Sequence, residues 1–186
     1  MIITLSGNCG AGKSTVAKLL AEKLGYKFYS MGALRGKLAL ELGLTIDELN
    51  KIGEEKEFTD KKIDAIQKSL GRKENNFVVD GRLAFHFIPH SLKIFLKVDP
   101  QVAAERLFKE KQLKPELRPD EKTYESIDEA EKIVKQREQS DVKRYLKWYG
   151  VDFLNPRHYH LIIDTSNLTP EEIVEKILDY LKNFEF

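Results

Sequence analysis

The segment Gly7-Asn8-Cys9-Gly10-Ala11-Gly12-Lys13-Ser14 matches the pattern G-x-x-x-x-G-K-[ST] and constrains everything around it. It follows a β-like run, Ile2-Ile3-Thr4-Leu5-Ser6, and precedes a helix-like run from Thr15 to Leu24. The glycines allow a tight turn that presents backbone N–H groups to anionic oxygens, and the following helix aims its positive end at the same point. A polyphosphate ligand follows, with Lys13 reaching its β and γ phosphates and the Ser14 hydroxyl offered to Mg²⁺. The alternative is a plain glycine-rich turn; the strand before it and the helix after it favour the phosphate loop.

A chain of 186 residues is long enough for one α/β domain and short for two. Five β-branched or aromatic runs predict strands at Ile2–Ser6, Lys27–Ser30, Phe77–Asp80, Leu92–Val98 and His160–Asp164. Helical patterns lie between them. Val16, Leu19, Leu20 and Lys23/Leu24 form one stripe, stopped by Gly25. Asp99-Pro100 opens a helix over Gln101–Lys111, and Thr169-Pro170 opens a last helix with Ile173, Ile177, Leu178 and Leu181 facing inward. Strands alternating with helices predict a parallel sheet covered on both faces.

Two stretches read as insertions beside this sheet. Between Gly32 and Gly71 the pattern is helical but interrupted by Gly43 and Gly53, predicting two or three short helices. Between Gln112 and Tyr149 it is highly charged, with Pro115 and Pro119 framing a polar loop before a long helix from about Tyr124 to Tyr149.

Lys and Arg number 31 against 30 Asp and Glu, so the net charge of +1 gives no global attraction to nucleic acid or to an anionic membrane. No apolar run approaches the ~20 residues of a bilayer span, and the first strand follows Met1 without a leader-like segment. Cys9 is the single cysteine and fits a reducing compartment, read as a small loop side chain in preference to a redox switch. A cytoplasmic chain is expected, monomeric, with small-molecule nucleotides as its partners.

Ligands of an open parallel sheet collect at the carboxyl ends of its strands, where Asp80-Gly81-Arg82 follows Phe77-Val78-Val79. Asp80 is placed to hold Mg²⁺, through water, as an acidic partner of Ser14; a turn-forming Asp-Gly is the alternative. Gly81 lets the chain turn sharply, and Arg82 would point to a second phosphate. Arg137, Asp141 and Arg144 share one helical face, two guanidinium forks with a carboxylate between them. Such forks suit the charge spread over the oxygens of a transferring phosphoryl group. Taken alone the face would be a solvated one laced with weak ion pairs; beside a phosphate loop it becomes a candidate site. His86 and His90 are separated by Pro89 and make a poor metal pair. Tyr29, Phe85 and Phe87 read as core first; Tyr29 to Met31 and Phe85 to Phe87 are the segments nearest the strand ends, best placed to touch a base.

The phosphate loop, Ser30-Met31-Gly32-Ala33-Leu34-Arg35, Asp80-Gly81-Arg82, Lys93-Ile94-Phe95-Leu96, the Arg137/Asp141/Arg144 face and Ile162-Ile163-Asp164-Thr165-Ser166 together resemble the cytidylate kinases, within the nucleoside monophosphate kinase group. The resemblance spans nearly the whole chain and is greater to the short archaeal-type members. It implies a three-layer P-loop fold with a five-stranded parallel sheet, an acceptor-binding insertion at about 32–71, a lid and long helix at about 112–149, and a core at about 1–31, 72–111 and 150–186. It implies transfer of the γ-phosphoryl of ATP, with Mg²⁺, to CMP or dCMP. By position, Gly7, Asn8, Cys9, Gly10, Ala11, Gly12, Lys13, Ser14 and Thr15 would hold the ATP phosphates, with Arg106 as a lid arginine near the donor. Ser30, Gly32, Arg35, Asp80, Gly81, Arg82, Arg137 and Asp141 would bind the acceptor. Lys13, Arg82, Arg137, Asp141 and Arg144 would act on the reacting phosphates, Arg144 swinging in from the lid side, while Ser14 and Asp80 would serve the metal.

One departure stands out. Where the family often has an acidic residue and then an arginine after the glycine of the acceptor segment, this chain has Ala33 and, in one alignment, Gly36. Arg35 is the nearest replacement, turned by ~100° on a helix. The alternatives carried forward are an adenylate or small-metabolite kinase such as shikimate kinase, and a nucleotide-binding regulatory module with weak turnover.

Overall fold

The computed structural model describes residues 1–114, 116 and 119–183. Pro115, one of the two prolines expected to frame the polar loop, lies outside the described residues. The chain runs β1 (Ile2–Gly7), α1 (Lys13–Leu24), β2 (Lys27–Ser30), α2 (Met31–Glu41), α3 (Ile46–Glu55), α4 (Phe58–Lys73), β3 (Phe77–Asp80) and α5 (Ala84–Phe87). It continues with β4 (Leu92–Lys97), α6 (Pro100–Leu113), α7 (Ile127–Tyr149), a 3₁₀ turn at Pro156–His158, β5 (Leu161–Asp164) and α8 (Pro170–Lys182).

The strands form a five-stranded sheet in the order β2-β3-β1-β4-β5, every pairing parallel. Side chains alternate across it. Ile3, Leu5, Val78, Ile94 and Leu96 pack beneath α1, α6, α7 and α8, meeting Val16, Leu20, Leu107, Val134, Ile173 and Ile177. Ile2, Phe77 and Val79 point the other way, onto Met31, Ile63, Ala84 and Ile88. Phe85, Phe95, Tyr145 and Phe153 make a third, mostly aromatic cluster. Three layers result, with β1 buried along its whole length.

The chain passes from β3 to β4 across β1, so strand order reverses beside β1 and leaves a crevice above the carboxyl ends of β1 and β3. In-register pairing of Leu5 with Asp80 and of Ser30 with Asp80 brings the ends of β1, β2 and β3 to one level.

Differences from the sequence expectation are local. Helix α1 starts at Lys13, two residues early, because Gly12 adopts the left-handed conformation at its N-cap. Its fully buried stripe is Val16, Ala17, Leu20 and Ala21; Leu19 and Leu24 are half-buried at its edge, and Lys23 reaches Glu175 on the surface. Helix α7 starts at Ile127 and not near Tyr124, since the Ser126 side chain accepts from the Glu129 N–H and caps it there. The interrupted stretch between Gly32 and Gly71 carries three helices, α2 to α4. Among the described residues, no helix is long and apolar enough to cross a membrane.

Candidate active site

The loop after β1 needs its first glycine. Gly7 has φ +146°, and a Cβ there would stand 2.2 Å from the Leu96 carbonyl oxygen of β4. The chain turns at Gly7 so close to the neighbouring strand that no side chain fits. Asn8 secures the turn from two sides: its Oδ1 accepts from the Val98 N–H at 3.3 Å, and its Nδ2 donates to Glu138 on α7 at 2.6 Å. Lys13 lies over the loop, its Nζ donating to the carbonyls of Gly7 at 3.1 Å and Asn8 at 2.6 Å.

Ser14, in the first turn of α1, donates its hydroxyl to Asp80, and Ser30 donates to the same carboxylate oxygen at 3.1 Å. A hydroxyl and a carboxylate meeting beside a phosphate loop fit Mg²⁺, a hard cation that keeps several waters and takes few protein oxygens besides phosphate. Among the described residues no cluster of three or more His, Cys, Asp or Glu side chains could hold a metal by itself, so phosphate oxygens would complete this site. His86 and His90 border a small surface groove with Lys68, Arg72, Phe87 and Tyr149, away from this crevice.

The crevice opens into one cleft of about 990 Å³ lined by Cys9 to Thr15, Ser30, Gly32, Arg35, Asp80 to Arg82, Arg106, Arg137 and Asp141. Nearly all the sequence candidates therefore share a single space, phosphate-loop residues and guanidinium groups alike. Gly7, Asn8 and Arg144 stand behind that lining.

Helix α7 turns Arg137, Asp141 and Arg144 inward with Ala130 and Val134, so the face that could have been a solvated one is buried. Asp141 pairs with both Arg82 and Arg144. Burial alone would raise the Asp141 pKa, but Arg82, Arg144 and Arg35 outweigh it and hold the carboxyl below its ordinary range. Burial works against the Arg82 charge too, and Asp141 more than restores it. Arg137 is held differently, by Asp47 of α3 at 2.6 and 3.0 Å and by Glu121 at 2.9 Å. Asp141 therefore fixes one fork of its helix and the Arg82 fork from the turn after β3, not both forks of α7.

Arg144 corrects the expectation of a swinging lid residue. It is fully buried, with Nη1 donating to both oxygens of Asp60 on α4 at 2.7 and 2.8 Å and Nη2 bound to Asp141. Asp60 also receives Arg35 at 2.7 Å, so one carboxylate ties α2, α4 and α7 together. Arg106 sits on α6 in the core, donating to the Thr165 carbonyl at 2.7 Å and the Ser166 carbonyl at 3.2 Å. It braces the loop after β5 while bordering the cleft.

The departure at Ala33 and Gly36 is absorbed. Arg35 does reach the cleft: Nε donates to Asn50 at 3.0 Å, Nη1 donates to Thr59 O and Asp60, and buried Nη2 has no hydrogen-bond partner. A Cβ on Gly36 would lie 2.7 Å from Asp120 Oδ2, because residues 119–121 pack over α2 and α3; the Asp120 carbonyl accepts the Ile46 N–H at 2.9 Å. Glycine makes room for that crossing.

Of the aromatic candidates, Phe85 stacks among His158 and Tyr159, Phe87 packs on Tyr149, and the Tyr29 hydroxyl donates to Glu74 at 2.9 Å. None borders the cleft; Met31 does. Sequence reasoning did not single out Asp47, Asn50, Asp60, Asp64, Gln67 and Glu121, which also reach the cleft or its arginines. On α4, Asp60, Ile63, Asp64 and Gln67 are spaced as a helical stripe and are buried, but with three polar members the stripe carries no apolar period.

A phosphate loop, a strand-end aspartate and a bank of arginines over a five-stranded parallel sheet define the P-loop kinase class. A sequence profile of the cytidylate kinase-like family matches residues 2–167, and the chain belongs to that family. Cytidylate kinase of Methanobrevibacter smithii is 35% identical over 182 residues, covering 98% of this chain and 99% of its own. An S-adenosylmethionine-dependent nucleotide dehydratase of Lacinutrix mariniflava is 36% identical over 179 residues, which cover 96% of this chain and 35% of that longer protein. The shikimate kinase structure from Bacteroides thetaiotaomicron superposes with a TM-score of 0.64 at 19% identity, covering 98% of each chain, a likeness of fold.

Proposed function

We propose that the chain transfers the γ-phosphoryl of ATP to CMP or dCMP, giving ADP and CDP or dCDP. The observation that carries this reading is the shared cleft: a phosphate loop faces Arg35, Arg82 and Arg137, so two anionic ligands can meet head-on. Cytidylate kinases cover nearly the whole chain and supply the choice of acceptor.

The chain's own groups account for the chemistry by position and charge, as phosphoryl transfer requires little else. Loop N–H groups and Lys13 hold the donor phosphates. Ser14, with Asp80 behind it, would hold Mg²⁺, which would supply charge neutralisation at the donor phosphates. Arg82 and Arg35 hold the acceptor phosphate, and Arg137 lies where charge develops on the transferred group. Asp141 orients Arg82, its carboxylate buried and ionised. As the family resemblance implies, the lid and long helix at about 112–149 and the acceptor-binding insertion at about 32–71 would together keep water from the reacting phosphoryl group. A monomer in the cytoplasm, with Cys9 kept reduced, is the setting inferred.

A coupled assay with ATP and a panel of CMP, dCMP, UMP, AMP and shikimate tests the reading. ADP release that depends on CMP or dCMP is expected. Turnover of shikimate alone, or ATP and CMP binding without ADP release, would replace it.

A further inference from the structure

On the acceptor wall, α4 turns Asp60, Ile63, Asp64 and Gln67 toward the cleft. Asp60 is engaged by Arg35 and Arg144. Gln67 is not engaged in this way: the residue is 3% exposed, borders the cleft, and its Oε1 has no hydrogen-bond partner. Buried polar atoms are nearly always satisfied, so an orphan carbonyl at the rim of a ligand cleft marks a place where a ligand donor belongs. Its surroundings say which part of the ligand arrives there. A Cβ placed on Gly81 would come within 3.3 Å of Gln67 Oε1 and 2.8 Å of Met31 Cγ. The orphan oxygen thus lies beside the Asp80-Gly81-Arg82 corner, where the bare Gly81 makes room for Met31 to pack against it. Met31, Ile63 and Leu83 add apolar walls suited to the face of a flat ring.

One helical turn before Gln67, Asp64 also borders the cleft, and the Tyr149 hydroxyl donates to its Oδ2. The two side chains together present acceptor oxygens. An exocyclic amino group carries two N–H bonds and matches such an edge; a carbonyl oxygen in its place would face oxygen and leave acceptors unpaired. We propose that Gln67 and Asp64 read the exocyclic amino group of the acceptor base, so that this edge of α4 favours cytosine over uracil nucleotides. The inference rests on the acceptor being a nucleoside monophosphate, and it adds the residues that choose the base.

The test compares CMP and UMP on wild type, Gln67→Ala and Asp64→Asn, by steady-state kinetics with ATP and by calorimetric binding of each monophosphate without ATP. Circular dichroism and thermal melting establish that each variant is folded. The expected result is a fall of about tenfold or more in the CMP to UMP ratio of kcat/KM for Gln67→Ala, and a gain in relative UMP use for Asp64→Asn, whose amide can donate to a carbonyl. Binding constants should move in parallel. Ratios within about twofold of wild type in both folded variants, or equal losses for both substrates, would overturn the inference and assign these side chains to structure. The inference falls alone if wild type phosphorylates CMP and those ratios hold. Wild type that turns over neither nucleotide yet binds CMP in preference to UMP, with the preference lost in the variants, would remove the activity and keep the base edge; wild type that binds neither removes both.

Discussion

Replacing Arg144 by methionine keeps most of the side-chain volume and removes a charge that is fully buried between Asp60 and Asp141. Three hydrogen bonds are lost at once, two to Asp60 and one to Asp141. Asp60 keeps Arg35 and Asp141 keeps Arg82, so neither carboxylate is stranded. Breaking a buried pair from one side costs about 3–5 kcal/mol, and the surviving partners place Arg144→Met toward the lower end. For a domain of this size that is roughly a 6–15 °C fall in Tm. Trp148 is the only tryptophan, and its indole N–H donates to the Gly53 carbonyl at 2.9 Å, so its fluorescence reports the α3–α7 seam next to Arg144 during urea unfolding. Asp60→Asn and the double variant complete a cycle, with a coupling on the order of 1–3 kcal/mol. A loss below about 1 kcal/mol, as for an exposed pair, together with a collapse in turnover, would refute the buried tie and restore Arg144 to a mobile lid role.

Lys13→Ala should lower kcat by about a hundredfold or more with Tm nearly unchanged, because the ammonium acts on charge that grows in the transition state; equal single-turnover rates would count against it. Gly7→Ala should abolish ATP binding and cost at least about 2 kcal/mol, since its methyl would meet the Leu96 carbonyl at 2.2 Å; an unchanged urea midpoint and unchanged ATP titration would contradict that contact. Burial raises the Asp64 pKa from 3.8 to about 6, opposed by the Tyr149 hydroxyl and by Lys68 and Arg35, and reinforced by Asp60. The folded chain therefore holds an extra proton between these values, and this group's contribution to stability falls as pH rises from about 4 to 6, by roughly 2–3 kcal/mol. Asp64→Asn should flatten that part of the stability profile measured by urea melts at stepped pH; an identical slope in variant and parent would exclude Asp64 as its source.

Local patterns that carry their own physics were legible in the chain before any tertiary contact. The phosphate loop, the five strand runs and the caps at Asp99 and Thr169 depend on neighbours a few residues away, and each stands in the structure within a few positions of its expected place. The shared face of Arg137, Asp141 and Arg144 was legible too, as a spacing, but whether it pointed to water or inward was not. That was decided by what crosses it. Asp60 and Asp47 are 84 and 90 residues away from the arginines they hold, and no local period can announce such partners. The family resemblance implies an Arg144 that swings in from the lid side; its burial between two carboxylates is set by the tertiary fold, since a paired charge tolerates an interior that an isolated one cannot. The stripe on α4 was hidden for the same reason, as its polar members face a cleft built from other elements. Sequence alone marked the glycine-rich strand-to-helix turn that forms the loop, because that turn depends only on residues next to one another. Tertiary structure decided which side chains line the cleft beside it, because only the folded sheet brings α2, α3, α4 and α7 together there.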